Sequence, residues 1–105
     1  MIIAISANKD NMKSLVSQHF GRCEWFCLYN TESKECSFIE NPLQNQQENA
    51  GHDVAELLIN RGVNAVIAGR FGSKVMAKFI KLNIQMIIPE SPKTITKIIN
   101  QLKLE

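Results

Sequence analysis

Ala65-Val66-Ile67-Ala68 decides the fold, because this short apolar run is set between two stretches whose apolar residues repeat with helical period. Before it, Val54, Leu57 and Leu58 share one helix face, with Asp53 as N-cap, Glu56 completing a capping box and Gly62 as the stop. After it, Val75, Met76, Phe79 and Ile80 form a second helix face, and residues 84–88 a further apolar strand. A third helix follows: Ser91 caps it, Pro92 takes its first position, and Ile95, Ile98, Ile99 and Leu102 repeat at i, i+3, i+4 and i+7. Strands that alternate with helices in this way lie parallel and are joined by right-handed crossovers.

The first half has the other period. Residues 2–6 and the aromatic-rich residues 24–30 suit buried strands, and after the polar turn Thr31-Glu32-Ser33 residues 34–40 make a third strand, pairing with the second as a hairpin. The predicted order is βββ-αβαβα, an α/β domain with one five-stranded mixed sheet and three helices. The simplest arrangement puts the first strand centrally, with the hairpin on one side and the fourth and fifth strands on the other. The winding then reverses between the first and fourth strands, and open α/β sheets bind ligands outside the carboxyl ends of strands at such a point. Two loops meet there, residues 7–22 and Gly69-Arg70-Phe71-Gly72.

Composition narrows the function. A chain of 105 residues with 45% hydrophobic content supports one core, so residues 1–105 are read as a single domain. The net charge of +2 comes from scattered Lys and Arg, which argues against a nucleic-acid surface. Met1-Ile2-Ile3-Ala4-Ile5-Ser6 has no charged leader and is far too short for a signal sequence or a membrane span, so a cytoplasmic protein with no membrane partner is expected. Cys23, Cys27 and Cys36 are an odd number without framework spacing, so reduced thiols are expected. No phosphate loop, dinucleotide fingerprint or nucleophile elbow is present, and Glu24, Glu35 and Glu40 lie near strand ends where they do not assemble a magnesium site. An enzyme is not expected. The amide-rich run Gln44-Asn45-Gln46-Gln47-Glu48-Asn49 reads as a loop.

Chemistry concentrates in Val16-Ser17-Gln18-His19-Phe20-Gly21-Arg22-Cys23. It ends a connection of about fifteen residues where about 4–6 is usual, and connections that long are commonly functional. His19 offers a nitrogen to a metal, or ties the loop down through a backbone hydrogen bond. Arg22 neutralises an anion with its planar fork, or forms a salt bridge. Phe20 reads as a loop anchor and Gly21 as a tight turn. Cys23 is either a metal ligand or a small hydrophobe, and strand spacing puts it on one face with Trp25, Cys27 and Tyr29; Cys27 and Cys36 read as packing residues. Gly69 and Gly72 either let amides at the next helix start face an anion, with Ser73 as cap, or serve turn geometry, and Arg70 adds positive charge nearby or is an exposed loop arginine. His52, near the first helix start, reads as solvated.

Several stretches resemble the dinitrogenase iron-molybdenum cofactor biosynthesis family of NifX-like proteins, which also form the C-terminal part of some NifB proteins. They are Met1-Ile2-Ile3-Ala4-Ile5, Val16-Ser17-Gln18-His19-Phe20-Gly21-Arg22, Glu40-Asn41-Pro42, and Gly62-Val63-Asn64-Ala65-Val66-Ile67-Ala68-Gly69 leading to Gly72. Ser-x-His-Phe-Gly-Arg is the specific element. The resemblance implies a ribonuclease-H-like fold that carries an iron-sulfur-molybdenum cofactor or its precursor without catalysis, alongside other cofactor-assembly proteins. His19, Phe20, Gly21, Arg22, Gly69, Arg70 and Gly72 are then the cofactor-binding residues, with His19 and Cys23 toward the metal. The competing class is a small protein-binding or regulatory module that kept the fold without the cofactor, since relatives also occur in organisms that do not fix nitrogen.

Overall fold

Ile2–Ala7 forms β1, the strand from which both halves of the sheet grow, and its residues from Ile3 onward are buried. The computed structural model describes residues 1–46 and 48–103, so Gln47 of the amide-rich loop lies outside the described residues. On one side of β1, Trp25–Asn30 (β2) pairs antiparallel with it, and Cys36–Glu40 (β3) pairs antiparallel with β2. On the other side Ala65–Ile67 (β4) and Gln85–Ile87 (β5) run parallel to it. The resulting order, β3-β2-β1-β4-β5, is the one the pattern predicts. Winding therefore reverses between β1 and β4.

Helices cover both faces. Ala50–Asn60 (α1) and Ser73–Lys81 (α2) pack Val54, Leu58, Val75 and Phe79 against Ala4, Phe26 and Val66 of the sheet. Ile95–Lys103 (α3) packs Ile95, Ile98 and Ile99 on the opposite face against Ile3, Ile5, Cys27, Tyr29 and Ile67. Each large apolar side chain removed from water contributes about 1.5–3 kcal/mol, so two such layers supply the main stabilising term. Gly62 adopts φ +77° just past α1, as its stop role requires.

Element starts depart from expectation, each for a local reason. Lys34 and Glu35 belong to the hairpin turn, which the Asn30 side chain organises by accepting bonds from the amides of Glu32 and Ser33. Helix α1 begins at Ala50 with Asn49 as a left-handed N-cap, so Asp53 lies within the first turn; its carboxylate is turned to Gln46 and His52 instead. Gly72 occupies the N-cap of α2, with Ser73 inside the helix. Ser91 and Pro92 precede α3 altogether, because Lys93 accepts a bond from the Val16 amide and Thr94 bridges Leu15, which keeps the chain extended up to Ile95. Thr94 is the true cap, its hydroxyl accepting from the Lys97 amide at 3.2 Å. Cys23 lies before β2 begins, and so joins the α1/α2 side, opposite Cys27 and Tyr29.

Thr94→Ala is expected to lower stability by about 1 kcal/mol in urea unfolding, while Ser91→Ala leaves it unchanged. The reverse ranking would restore Ser91 as the cap.

Candidate functional site

Residues 8–22 are tied across the carboxyl ends of β1 and β4 by backbone hydrogen bonds at both of their edges. The Ser17 amide donates to Ser6, the Gly69 amide to Ser17, and the Phe20 amide to Arg70, at 2.9, 3.0 and 3.2 Å. Ser6, fully buried, adds hydroxyl bonds to the Ser17 and Ile67 carbonyls. The Phe20 ring is only 2% exposed and lies 5.4–5.9 Å, centroid to centroid, from the rings of Phe71, Phe79 and Phe26. Such contacts are worth about 0.5–1.5 kcal/mol each beyond burial. With Phe20 turned in, His19 and Arg22 are left outside.

Two further restraints fix the exit of the loop. Asn41, 1% exposed, donates from its amide nitrogen to the carbonyls of Gly21 and Cys23 at 3.2 and 2.9 Å, and its side-chain oxygen accepts from the Leu43 amide. Gly21 lies directly on the start of α1: a Cβ there would stand 2.9 Å from both the Cα and the amide nitrogen of Gly51. Gly51 in turn faces Val75 of α2, where a Cβ would also meet a methyl at 2.9 Å. Glycine at both positions lets the loop, α1 and α2 converge.

Their convergence leaves a depression of about 220 Å³, lined by His19, Phe20, Gly21, Arg22, Ala50, Gly51, Arg70, Gly72 and Val75. Six of the seven residues predicted to bind cofactor are brought together here. Two helices begin at its rim, and neither has a side-chain hydrogen bond capping it, so their starts turn positive dipole ends toward the depression, with Asp53 in the first turn of α1. The guanidinium of Arg22 donates to the Gln46 carbonyl, which aims it along the rim. Among the described residues no acidic side chain lines the depression and the His19 imidazole has no hydrogen-bond partner. Larger hollows lie elsewhere. One of about 490 Å³ at the hairpin end sets Glu35 with Arg61, and two of about 330 and 250 Å³ each set Glu90 with Lys93. None of the three has the one-signed lining of the smaller depression.

Several predicted residues fall outside it. Gly69 lies beneath Gln18, where a Cβ would stand 2.8 Å from the Gln18 Cα, so close packing accounts for this glycine. Cys23 is 2% exposed in the core; its thiol donates to the Phe20 carbonyl at 3.4 Å, and burial pushes it up to about 12. A protonated thiol in that place is a packing group. His52 joins a polar cluster between α1 and α2: its Nδ1 lies 3.2 Å from Asp53 Oδ1, its Nε2 lies 3.2 Å from Lys78 Nζ, and Lys78 also pairs with Glu56. Among the described residues no three His, Cys, Asp or Glu side chains are grouped to hold a metal ion. The sequence reading passed over Asn41, Gln46 and Gly51 as site-building residues. The signal for Asn41 was its place directly before Pro42, at the end of the third strand.

The family model described as dinitrogenase iron-molybdenum cofactor matches residues 1–105. The chain belongs to the dinitrogenase iron-molybdenum cofactor family. An uncharacterized protein of Methanocaldococcus jannaschii is 39% identical over 74 residues, which are 68% of this family member and 63% of that relative. The match thus spans just under two thirds of the relative's length. The apo orange protein of Desulfovibrio gigas superposes with a TM-score of 0.88 at 20% identity, covering 96% of this chain and 85% of that one. The Thermotoga protein TM1290, proposed to be a NifB protein of the DUF35 family, gives 0.82 at 24% identity, over 98% and 87%. At these identities the structures share the fold.

Asn41→Ala is expected to cost about 1–3 kcal/mol, since it leaves the buried Cys23 carbonyl and the part-buried Gly21 carbonyl without their donor. Asn41→Asp tests the donor role with volume kept, and wild-type stability in both would remove the restraint. A thiol reagent at pH 8 is expected to label Cys36, the exposed thiol, quickly, and Cys23 and Cys27 only on unfolding. Fast labelling of Cys23 in the folded chain would contradict its packing role.

Proposed function

We propose that this chain binds and carries an anionic metal-sulfur cluster of the iron-molybdenum cofactor type, or its precursor, as cargo and without catalysing a reaction of its own. The observation that carries the proposal is the acid-free depression where His19, Arg22 and Arg70 meet two uncapped helix starts. The donor set fits such cargo. One imidazole can take a single exchangeable coordination position, while guanidinium and amide N–H groups bond the sulfide or oxo shell of an anion from outside. No thiolate is offered, because Cys23 is turned into the core. The cluster therefore keeps its own sulfur ligands, and a carrier that holds it by one metal bond and charge can release it to a partner in cofactor assembly. The family membership and the names of its relatives support the same reading. The sheet order, with the hairpin first and two crossovers after, supports a ribonuclease-H-like classification. We place the protein in the cytoplasm; no helix among the described residues is long and apolar enough to cross a membrane.

The test is anaerobic mixing with isolated iron-molybdenum cofactor or tetrathiomolybdate, followed by gel filtration and metal analysis. Wild type is expected to retain metal with its visible chromophore. His19→Ala is expected to lose most of it with the fold intact, and Arg22→Ala to bind roughly 10–100-fold more weakly, the value of a charge-assisted hydrogen bond. Arg22→Lys should fall between, since the charge survives and the fork does not. Cys23→Ser should retain metal at a cost in stability. Full retention by His19→Ala would remove the central residue, and no retention by wild type would favour a regulatory module. Binding of DNA or RNA that weakens steeply with salt is not expected from a chain of net charge +2, and observing it would contradict the proposal.

A further inference from the structure

The flank of the molecule along β5 is unlike the rest of its surface. Among the described residues six large hydrophobic side chains are exposed, and four of these, Met76, Ile80, Leu82 and Ile88, fall on α2 and around β5. Val75 and Lys78 of α2 turn toward α1, where they meet Gly51 and Glu56, while Phe79 turns to the sheet. With about 3.6 residues per turn, Met76 and Ile80 stand on the flank away from α1, above the sheet margin at β5. Met86 of β5 packs toward this same face, and Ile88, just past the end of the strand, is exposed beside Ile87, Ile98 and Gln101.

Strand β5 ends the sheet. The Gln85 amide donates to Asn64, and the Ile87 carbonyl accepts from the Ala68 amide, so the amide and carbonyl of Met86 face outward. Free edges are usually blunted by shortness, charge or proline. Here β5 is three residues long and residues 82–88 carry neither charge nor proline; Lys81 precedes the run and Pro89 and Glu90 follow it, and neither exposed Lys81 nor exposed Glu90 forms an ion pair among the described residues.

We infer that this edge is an interface between two copies of the chain, paired antiparallel, β5 to β5, about a twofold axis. Antiparallel pairing of a strand with itself is self-complementary: Met86 faces the partner's Met86 and exchanges both hydrogen bonds with it. The same pairing brings the Lys81 end of each copy to the Glu90 end of the other, so opposite charges meet twice, whereas parallel pairing would set like charges together. Two backbone bonds alone are weak, and the exposed apolar side chains of Met76, Ile80 and Leu82, with Ile88 at the strand's end, add apolar contact beside them. The β5 flank does not line the depression around His19, so both candidate sites stay open.

Sedimentation equilibrium of the full chain tests this, with far-UV circular dichroism to confirm folding of each variant. A dimer with a dissociation constant on the order of 100 µM or tighter is expected. Ile88→Lys and Ile80→Lys should each weaken it at least about tenfold, as inward-facing edge lysines do. Glu90→Lys should weaken it too, and the double variant Lys81→Glu with Glu90→Lys should restore it. A monomer at about 1 mM, a dimer indifferent to Ile88→Lys, or no rescue by the charge swap would overturn the interface.

Discussion

The buried ring of Phe20 is the contact on which the candidate site depends. Ordering a loop of this length costs about 1–2 kcal/mol of backbone entropy per residue, and hydrogen bonds across the strand ends offset only part of that. Phe20 gives the loop a place in the core, among Phe26, Phe71 and Phe79, which belong to β2, the loop after β4, and α2. One side chain thereby fixes the loop against three elements at once. Because Phe20 points inward, its neighbours on either side are presented outward at a defined height above the sheet. The floor beneath them is set by Gly21 on Gly51 and by Gly51 on Val75, contacts that admit no Cβ.

Electrostatics at the rim follow from that scaffold. Arg22 and Arg70 are both exposed at the rim, where holding a charge costs little, and the proposed anionic cargo would meet two guanidinium groups there. The starts of α1 and α2, without side-chain caps, add their positive dipole ends to the same rim. The polar cluster of His52, Asp53, Glu56 and Lys78 joins α1 to α2, the two helices that begin at the rim of the depression. Hydrogen bonds from Gln46 hold the Asp53 carboxyl below the ordinary carboxylate range, and those from Lys78 do so for Glu56. Their folded pKa values are depressed, so what they contribute is present above the ordinary carboxylate pKa and is lost as pH falls through the folded values.

Strand order and helix number were legible because each rests on a local period: two for the hairpin, 3.6 for the helices, and an unbroken apolar run for β4. The residues around the depression were legible for another reason, since the elements that carry them are loops fixed at strand ends in any such sheet. What escaped the sequence depends on contacts distant along the chain. Ser91-Pro92 has the local chemistry of a helix start, yet Lys93 and Thr94 are engaged by Val16 and Leu15 from the far loop, and Thr94 takes the cap. Asp53 has the chemistry of a cap, but Gln46 and His52 engage its carboxylate within the first turn. Strand spacing placed Cys23 with Cys27, but β2 begins only at Trp25, and the bond from Cys23 to the Phe20 carbonyl draws it to the other face. Nothing in the sequence distinguishes Gly69, which packs under Gln18, from Gly72, which opens on the depression.

The central claim is that anionic cargo is met at one place, around His19. Titration of uniformly nitrogen-15-labelled protein with tetrathiomolybdate under argon, followed by amide and imidazole NMR, tests this most directly. The account predicts that the His19 ring nitrogens shift most, together with the amides of Gly21, Arg22, Gly51, Arg70 and Gly72, while signals of the β2–β3 hairpin and Arg61 stay in place. Largest shifts at Arg61 and the hairpin, with His19 unmoved, would contradict it.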